Sequence, residues 1–268
     1  MIRVEKLSRT FGEVAALNAV DLQVRKHQTT VIMGGSGSGK TTLLRMLAAL
    51  DKPSSGHVWF DGHDLASIRR KELYELRARM GMVFQYSALL NSLNVYDNVA
   101  FTLHEHTQLD ESIIRTMVTM KLEQVGLRGF ESFMPSELSG GMAKRVAFAR
   151  ALAMDPEIVF FDEPTSGLDP ISAGVIATLI KDLTQKTHMT SVVVTHDVHA
   201  GLQIADYIIL LWQGDIIAEG TPDEIRQHAD ERVQQFLEGR PDGPIPFSRS
   251  KTAYIDDLLH KPGVVRIL

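Results

Sequence analysis

The sequence contains no cysteine, which excludes disulfides and thiolate metal sites and fits a reducing compartment. It also lacks any excess of positive charge: 28 Lys and Arg stand against 33 Asp and Glu, for a formal net charge of -5. Such a balance provides no general field for a polyanion, so no nucleic acid is expected among the partners. Long apolar runs are missing as well. A stretch such as Ile208 to Trp212 is far shorter than the roughly 20 residues that span a bilayer, and the opening MIRVEKLSRTFGEV is charged where an export signal would be apolar. The expectation is a cytoplasmic protein whose membrane role, if it has one, passes through a partner. There is no solenoid-type repeat and no low-complexity tract.

What is present is enough chain, 268 residues, for one large α/β domain or two small ones. Short apolar, β-branched runs at Thr29 to Met33, Met82 to Phe84, Ile158 to Phe161, Ser191 to Thr195 and Tyr207 to Leu211 read as buried strands. Helical stretches alternate with them. One starts at Asp169-Pro170 and sets Ile171, Val175, Ile176, Leu179 and Leu183 on one face. This alternation predicts a mostly parallel sheet covered on both sides. From about Ser87 to Asp155 no buried strand is evident, and Ile113, Ile114, Met117, Val118, Leu122 and Val125 recur at helical spacing, with Asp110 as N-cap and Gly126 as stop. The reading is therefore an α/β core in 1–86 and 156–240 carrying a helical subdomain in 87–155. Past Leu237 the Pro- and Gly-rich EGRPDGPIPF marks the end of the compact domain. A tail, 241–268, follows with Ile255, Leu258 and Leu259 as its apolar residues, and it is expected to dock on a neighbouring subunit.

Chemistry concentrates in a few short motifs. Gly34-Gly35-Ser36-Gly37-Ser38-Gly39-Lys40-Thr41 fits G-x-x-x-x-G-K-[ST] and lies between a predicted strand and the helix TTLLRMLAAL, which begins at Thr41-Thr42. Glycines let successive amides turn inward on a phosphate, and the helix start adds partial positive charge. Lys40 would reach the β- and γ-phosphates, and the Thr41 hydroxyl would ligate Mg2+. A Gly/Ser linker that happens to precede a lysine would lack this strand and helix. About 120 residues further on, the strand Ile158 to Phe161 ends in Asp162-Glu163. Asp162 would hold the metal, and Glu163, pointing differently, would act as general base on the attacking water. Two histidine pairs, His104-x-His106 and His196-x-x-His199, have no carboxylate or cysteine at ligand spacing, so no metal site is expected there.

Leu138-Ser139-Gly140-Gly141-Met142, followed by Ala143-Lys144-Arg145, resembles the signature motif of ABC ATPases. Ser139 is a natural N-cap, and the two glycines permit close backbone approach. The other motifs of that family occur in order. Phe11 stands where an aromatic stacks on adenine, Gln85 matches the Q-loop, which contacts the metal, Ser166-Gly167-Leu168-Asp169 the D-loop, and His196 the switch histidine. Taken singly, each has a plainer reading as a core, strand-end, capping or loop residue. The resemblance implies a P-loop NTPase fold of ABC type with an N-terminal antiparallel β region. It further implies a homodimer in which Ser139, Gly140, Gly141 and Met142 of one subunit meet ATP on the other, with Asp169 bridging and His196 contacting the γ-phosphate.

Met142 replaces the usual Gln of the signature, and MPSELSGGMAKR, NVYDNVAFTLHEHT and PDGPIPF look like the ATPase subunits of Mla-type phospholipid transporters. That resemblance implies a permease dimer, an MCE lipid-binding subunit, a small STAS-domain partner in many such systems, and a place on the cytoplasmic face of the inner membrane. The alternatives are the ATPase of another importer or exporter and a non-transport ABC ATPase. A DNA-repair type would carry a coiled-coil or zinc-bearing insertion and a translation-factor type a second cassette, neither of which is present.

Overall fold

A computed structural model of the chain describes residues 1–245. It comprises two compact units, Met1–Gln227 and a second that begins at His228. The first unit is built on two sheets. Strands β1 (Ile2–Phe11), β2 (Val14–Val24), β4 (Ser55–Phe60) and β5 (His63–Asp64) form an antiparallel sheet in the order β2-β1-β4-β5. The other sheet has β3 (Thr29–Met33), β6 (Met80–Val83), β7 (Ile158–Asp162), β8 (Thr190–Thr195), β9 (Tyr207–Trp212) and β10 (Asp215–Gly220), in the order β10-β9-β3-β8-β7-β6. All its neighbours pair in parallel except β9 and β10. Every residue of β3, β7 and β8 is buried, which is why these strands appear in the sequence as continuous apolar runs and not as alternating ones.

Helix α1 (Lys40–Leu47) packs between the sheets. Its Leu43, Leu44, Met46 and Leu47 share one core with Leu7, Leu17 and Phe60 of the antiparallel sheet and with Ile32, Phe160 and Val194 of the parallel one. The remaining helices of the unit are α2 (Arg70–Arg77), α3 (Val95–His106), α4 (Glu111–Gln124), α5 (Gly140–Ala151), α6 (Pro170–Thr187), α7 (Val198–Ile204) and α8 (Pro222–Arg226). Between β6 and β7 the chain is helical, and α3, α4 and α5 pack on one another. Asn98, wholly buried, bonds to Leu90 O at 3.1 Å, Leu93 O at 2.9 Å and Asn94 O at 3.0 Å, so one amide fixes the loop leading into α3. The second unit carries α9 (Glu231–Glu238), capped by Asp230, with Gln235 bonded to both the amide and the carbonyl of Ile245.

The parallel sheet matches the expectation, but several local readings need correction. Ile171 and Val175 are 82% and 51% exposed, and the buried face of α6 begins at Ile176 and continues through Ala177, Ile180 and Leu183. With 18 residues at about 1.5 Å each, α6 is longer than the five- and six-residue strands beside it, so its first turns project past them. The strand near Gln85 is Met80–Val83, which leaves Phe84 outside it. Asp110 occupies the N-cap of α4 without a side-chain cap bond, while Gly126 follows the helix at φ 67°. Most of the expected tail, 246–268, lies outside the described residues.

Candidate nucleotide site

Close packing forces two glycines of the loop between β3 and α1. A Cβ on Gly34 would lie 2.2 Å from Leu211 O, and one on Gly39 would lie 2.4 Å from Ala16 O, both at positive φ. The loop is thus clasped between β9 and β2. A third tie comes from the β9–β10 turn, where Gly214 N–H donates to Ser38 O at 3.1 Å. Trp212 closes one wall, its ring 3.4 Å from where a Gly35 Cβ would stand. The first amides of α1 have no partner within the helix and face the loop's concavity, the geometry that receives a phosphate. Lys40 is buried and its Nζ donates to Gly34 O and Gly35 O at 2.9 Å each, so the ammonium sits inside the loop. Burial lowers its pKa, and the nearby Glu163 and Asp162 oppose that shift. The hydroxyl of Ser38 is buried with no hydrogen-bond partner among the described residues, a donor that a bound phosphate could satisfy.

Thr41 Oγ1 donates to Asp162 Oδ1 at 3.2 Å. This pairs the end of β7 with the start of α1 and offers two hard oxygens, the donor set Mg2+ takes from a protein when phosphates and waters complete its shell. Burial raises the pKa of Asp162, and Glu163 adds to the rise, against a lowering bond from Thr41. A divalent cation would offset that penalty on the ionised form.

Glu163 follows directly and adopts φ 47°, uncommon for a residue with a side chain. Its amide donates to Val194 O at 2.9 Å, and its Oε2 lies 2.9 Å from His196 Nδ1. An ionised carboxylate only accepts, so against that form Nδ1 carries the proton of this bond. The His196 side chain is 63% exposed, whereas that of Glu163 is 10% exposed. A buried carboxylate therefore faces solvent through a histidine.

Gln85 lies two residues beyond β6, with Nε2 3.5 Å from Ser166 Oγ. Ser139 caps α5 by accepting from Met142 N at 3.3 Å. Asp169 caps α6 by accepting from Ile171 N and Ser172 N at 3.0 Å each. These two helix starts meet in the same chain: a Cβ on Gly140 would stand 3.5 Å from Leu168, and one on Gly141 3.6 Å from Ser172 Oγ. Phe11 ends β1 opposite Val14, exposed, with the Arg9 guanidinium 4.6 Å from its ring centre. The same hairpin supplies Ala16, which touches Gly39.

The structure thus gathers Lys40, Thr41, Asp162, Glu163 and His196 at the carboxyl ends of β3, β7 and β8. Gln85 adjoins Ser166, while Ser139 to Met142 form a separate outward-facing turn beside Asp169. Sequence reasoning missed Lys144, buried on α5, whose Nζ donates to the Gln85 carbonyl and, at 3.4 Å, to Glu163 O. The available signal was weak: Lys144 is one of three cations, with Arg145 and Arg150, among the small and apolar residues of AKRVAFARALA. It also missed Arg150, which bonds Ser87 O at 2.8 Å and Ala88 O at 2.7 Å just after Gln85. Of the histidines set aside as metal ligands, His104 pairs instead with Glu111, a carboxylate seven residues on, at 3.0 Å.

Comparison with known proteins gives the following. A family model described as ABC transporter matches residues 17–166. The intermembrane phospholipid transport system ATP-binding protein MlaF of Haemophilus influenzae is 49% identical, covering 96% of this chain and 98% of its own. MlaF of Escherichia coli K12 is 45% identical over 97% of this chain and 96% of its own. The probable ribonucleotide transport ATP-binding protein mkl of Mycobacterium leprae is 41% identical over 93% of this chain and 72% of its own. Among solved structures, the dimeric ATP-binding cassette MJ0796 superposes with a TM-score of 0.77 at 34% identity, covering 83% of this chain and 99% of that one. A post-hydrolysis dimer of the same cassette, bound to ADP and Pi, gives 0.76 at 33% identity with the same coverage.

Proposed function

Because the chain belongs to the ABC transporter family as an ATP-hydrolysing subunit, we propose that two copies close on ATP and that the chain powers phospholipid transport through a membrane permease. The observation that carries the reading is the convergence of Lys40, the Thr41–Asp162 pair and the Glu163–His196 pair on one loop. Lys40 exchanges the carbonyls of Gly34 and Gly35 for phosphate oxygens, a charge-assisted contact stronger than the one it leaves. Thr41, Asp162 and Gln85 hold Mg2+, which supplies charge neutralisation at the phosphates. Glu163 accepts the proton of the attacking water, and His196 orients the γ-phosphate side of the site from its exposed position. Phe11 stacks on the adenine.

The trans half consists of the Ser139 hydroxyl and the amides of Gly140 and Gly141, which face outward beside Asp169 and would meet the γ-phosphate held by the other subunit. Loss of that phosphate removes the charge both subunits grip, and the dimer opens. Ser139→Arg should therefore keep nucleotide binding and abolish turnover. Nucleotide binding surviving in Lys40→Ala would remove the phosphate assignment.

Next to Gln85 lies an open apolar groove of about 460 Å³, lined by Phe84, Leu90, Phe101, Thr102 and Arg150 among others. We assign it to a helix of the permease, the arrangement that would let α3 and α5 pull on the membrane partner. Among the described residues no helix is long and apolar enough to cross a membrane, so attachment at the cytoplasmic face of the inner membrane rests on that partner. An MCE subunit and a small STAS-domain protein complete the proposed assembly. The deciding experiment is co-purification with the permease followed by ATP-driven transfer of phospholipid between vesicles. The likeness to the mycobacterial mkl protein favours one other reading, a small solute as cargo, and ATP-driven solute uptake without lipid transfer would establish it.

A further inference from the structure

Glu163 depends on a backbone conformation that a side-chain-bearing residue seldom adopts, φ 47°, and such a conformation persists only where the surroundings fix it. Bonds flank it on both sides. On one side its amide donates to Val194 O of β8, which belongs to the parallel sheet. On the other its carbonyl accepts from Ser166 N–H at 3.2 Å within the following turn and from Lys144 Nζ at 3.4 Å, and Lys144 belongs to α5, the helix that Ser139 caps. The same ammonium donates to the carbonyl of Gln85. Lys144 is almost wholly buried, beyond what a solvated helix face requires, and burial lowers its pKa while Asp162 and Glu163 oppose the shift. The far end of α5 is fixed on β6: a Cβ on Gly81 would stand 2.6 Å from Ala151 O. One buried cation thus ties the helix bearing the signature turn to the residues just past two neighbouring strands, Gln85 after β6 and Glu163 after β7.

We propose that Lys144 is a positioning residue that holds the peptides of Gln85 and Glu163 in hydrolytic register with α5, so that engagement of the signature turn in trans is passed to the base of the same subunit. This rests on the assignment of Glu163 as base. Without the ammonium, the part-buried Gln85 carbonyl loses its donor and the Glu163 carbonyl keeps only the Ser166 amide at 3.2 Å, so the tie between the Glu163 backbone and α5 is lost, while the P-loop and the outward face of Ser139 to Met142 are untouched. The cost falls on the chemical step and not on binding.

The test uses the full chain. Lys144→Met, close in length and uncharged, is expected to lower kcat roughly 10-fold or more, as small misplacements of a catalytic group do, with KM for ATP within about threefold. Lys144→Arg should recover most of that kcat. In a Glu163→Gln background, where ATP should hold the dimer closed, adding Lys144→Met should leave the ATP-dependent dimer intact by sedimentation. A kcat within about twofold of the unsubstituted protein overturns the proposal, as does loss of the ATP-dependent dimer or failure of Arg to restore turnover. If Lys144→Met does not fold by its melting curve, Lys144→Gln is judged by the same criteria. Failure of the base assignment is read separately, as undiminished hydrolysis by Glu163→Gln with Lys144 in place.

Discussion

Two pairs of glycines flank the proposed chemistry, and they are glycine for different reasons. Gly34 and Gly39 are demanded by this chain's own fold, because any side chain would strike the carbonyls of Leu211 and Ala16. Gly140 and Gly141 are not. A Cβ at either would sit at 3.5 or 3.6 Å from its neighbours, ordinary van der Waals contact, and both positions are helical. Among the described residues nothing explains the absence of side chains there, which supports the proposed contact with a second subunit. On the proposed reading, the contrast separates the half of the site that one chain completes from the half it would lend to another.

The strongest way to break this contrast is Gly39→Ala. Overlap with Ala16 O at φ 102° should cost at least about 2 kcal/mol of stability and abolish nucleotide binding, as read by melting temperature and ATP titration. Unchanged melting would mean that the loop is not clasped as described. Next in size is Glu163→Gln, expected to slow hydrolysis by about 100-fold or more while ATP still binds and now holds a stable dimer. Gly140→Ala should then sharpen the distinction by its sign. The isolated subunit should melt no lower than the unsubstituted one, since Ala gains up to about 1 kcal/mol over Gly in a helix, yet turnover should fall because the dimer closes poorly. A lowered melting point with normal turnover would place the requirement inside the monomer after all. The smallest effect on the isolated protein is expected for Leu90→Asp in the groove, where basal hydrolysis and melting should stay unchanged and only co-purification of the permease should be lost.

The clasped half was the more legible in the sequence. Strand, glycines, lysine and threonine are contiguous, and Asp162-Glu163 and His196 each follow directly on an apolar run that can only be a buried strand. The signature turn was legible as a motif, although its partner is not in the chain. What escaped were contacts across long separations. Lys144 and Gln85 are 59 residues apart and Arg150 and Ser87 are 63 apart, and a cation on a helix gives no sign in one sequence that its head will be buried under strand ends. The antiparallel sheet was expected only by resemblance: the pairing of β1 with β2 has three register irregularities, and both strands carry exposed positions among apolar ones, so their period of two is blurred. Ile171 and Val175 misled because helical spacing identifies a face without stating how far along the helix the core extends.

The place of Trp212 has a practical consequence for following this protein in solution. The chain has two tryptophans, and the indole of Trp212 lies against the backbone of Gly35, whereas Trp59 is on the antiparallel sheet with its N–H bonded to Glu5 at 2.9 Å. A nucleotide phosphate entering the loop alters the electric field at one indole and leaves the other in its old environment. Replacing Trp59 with Phe therefore yields a chain whose ultraviolet emission reports loop occupancy alone, with no dye attached and no turnover required.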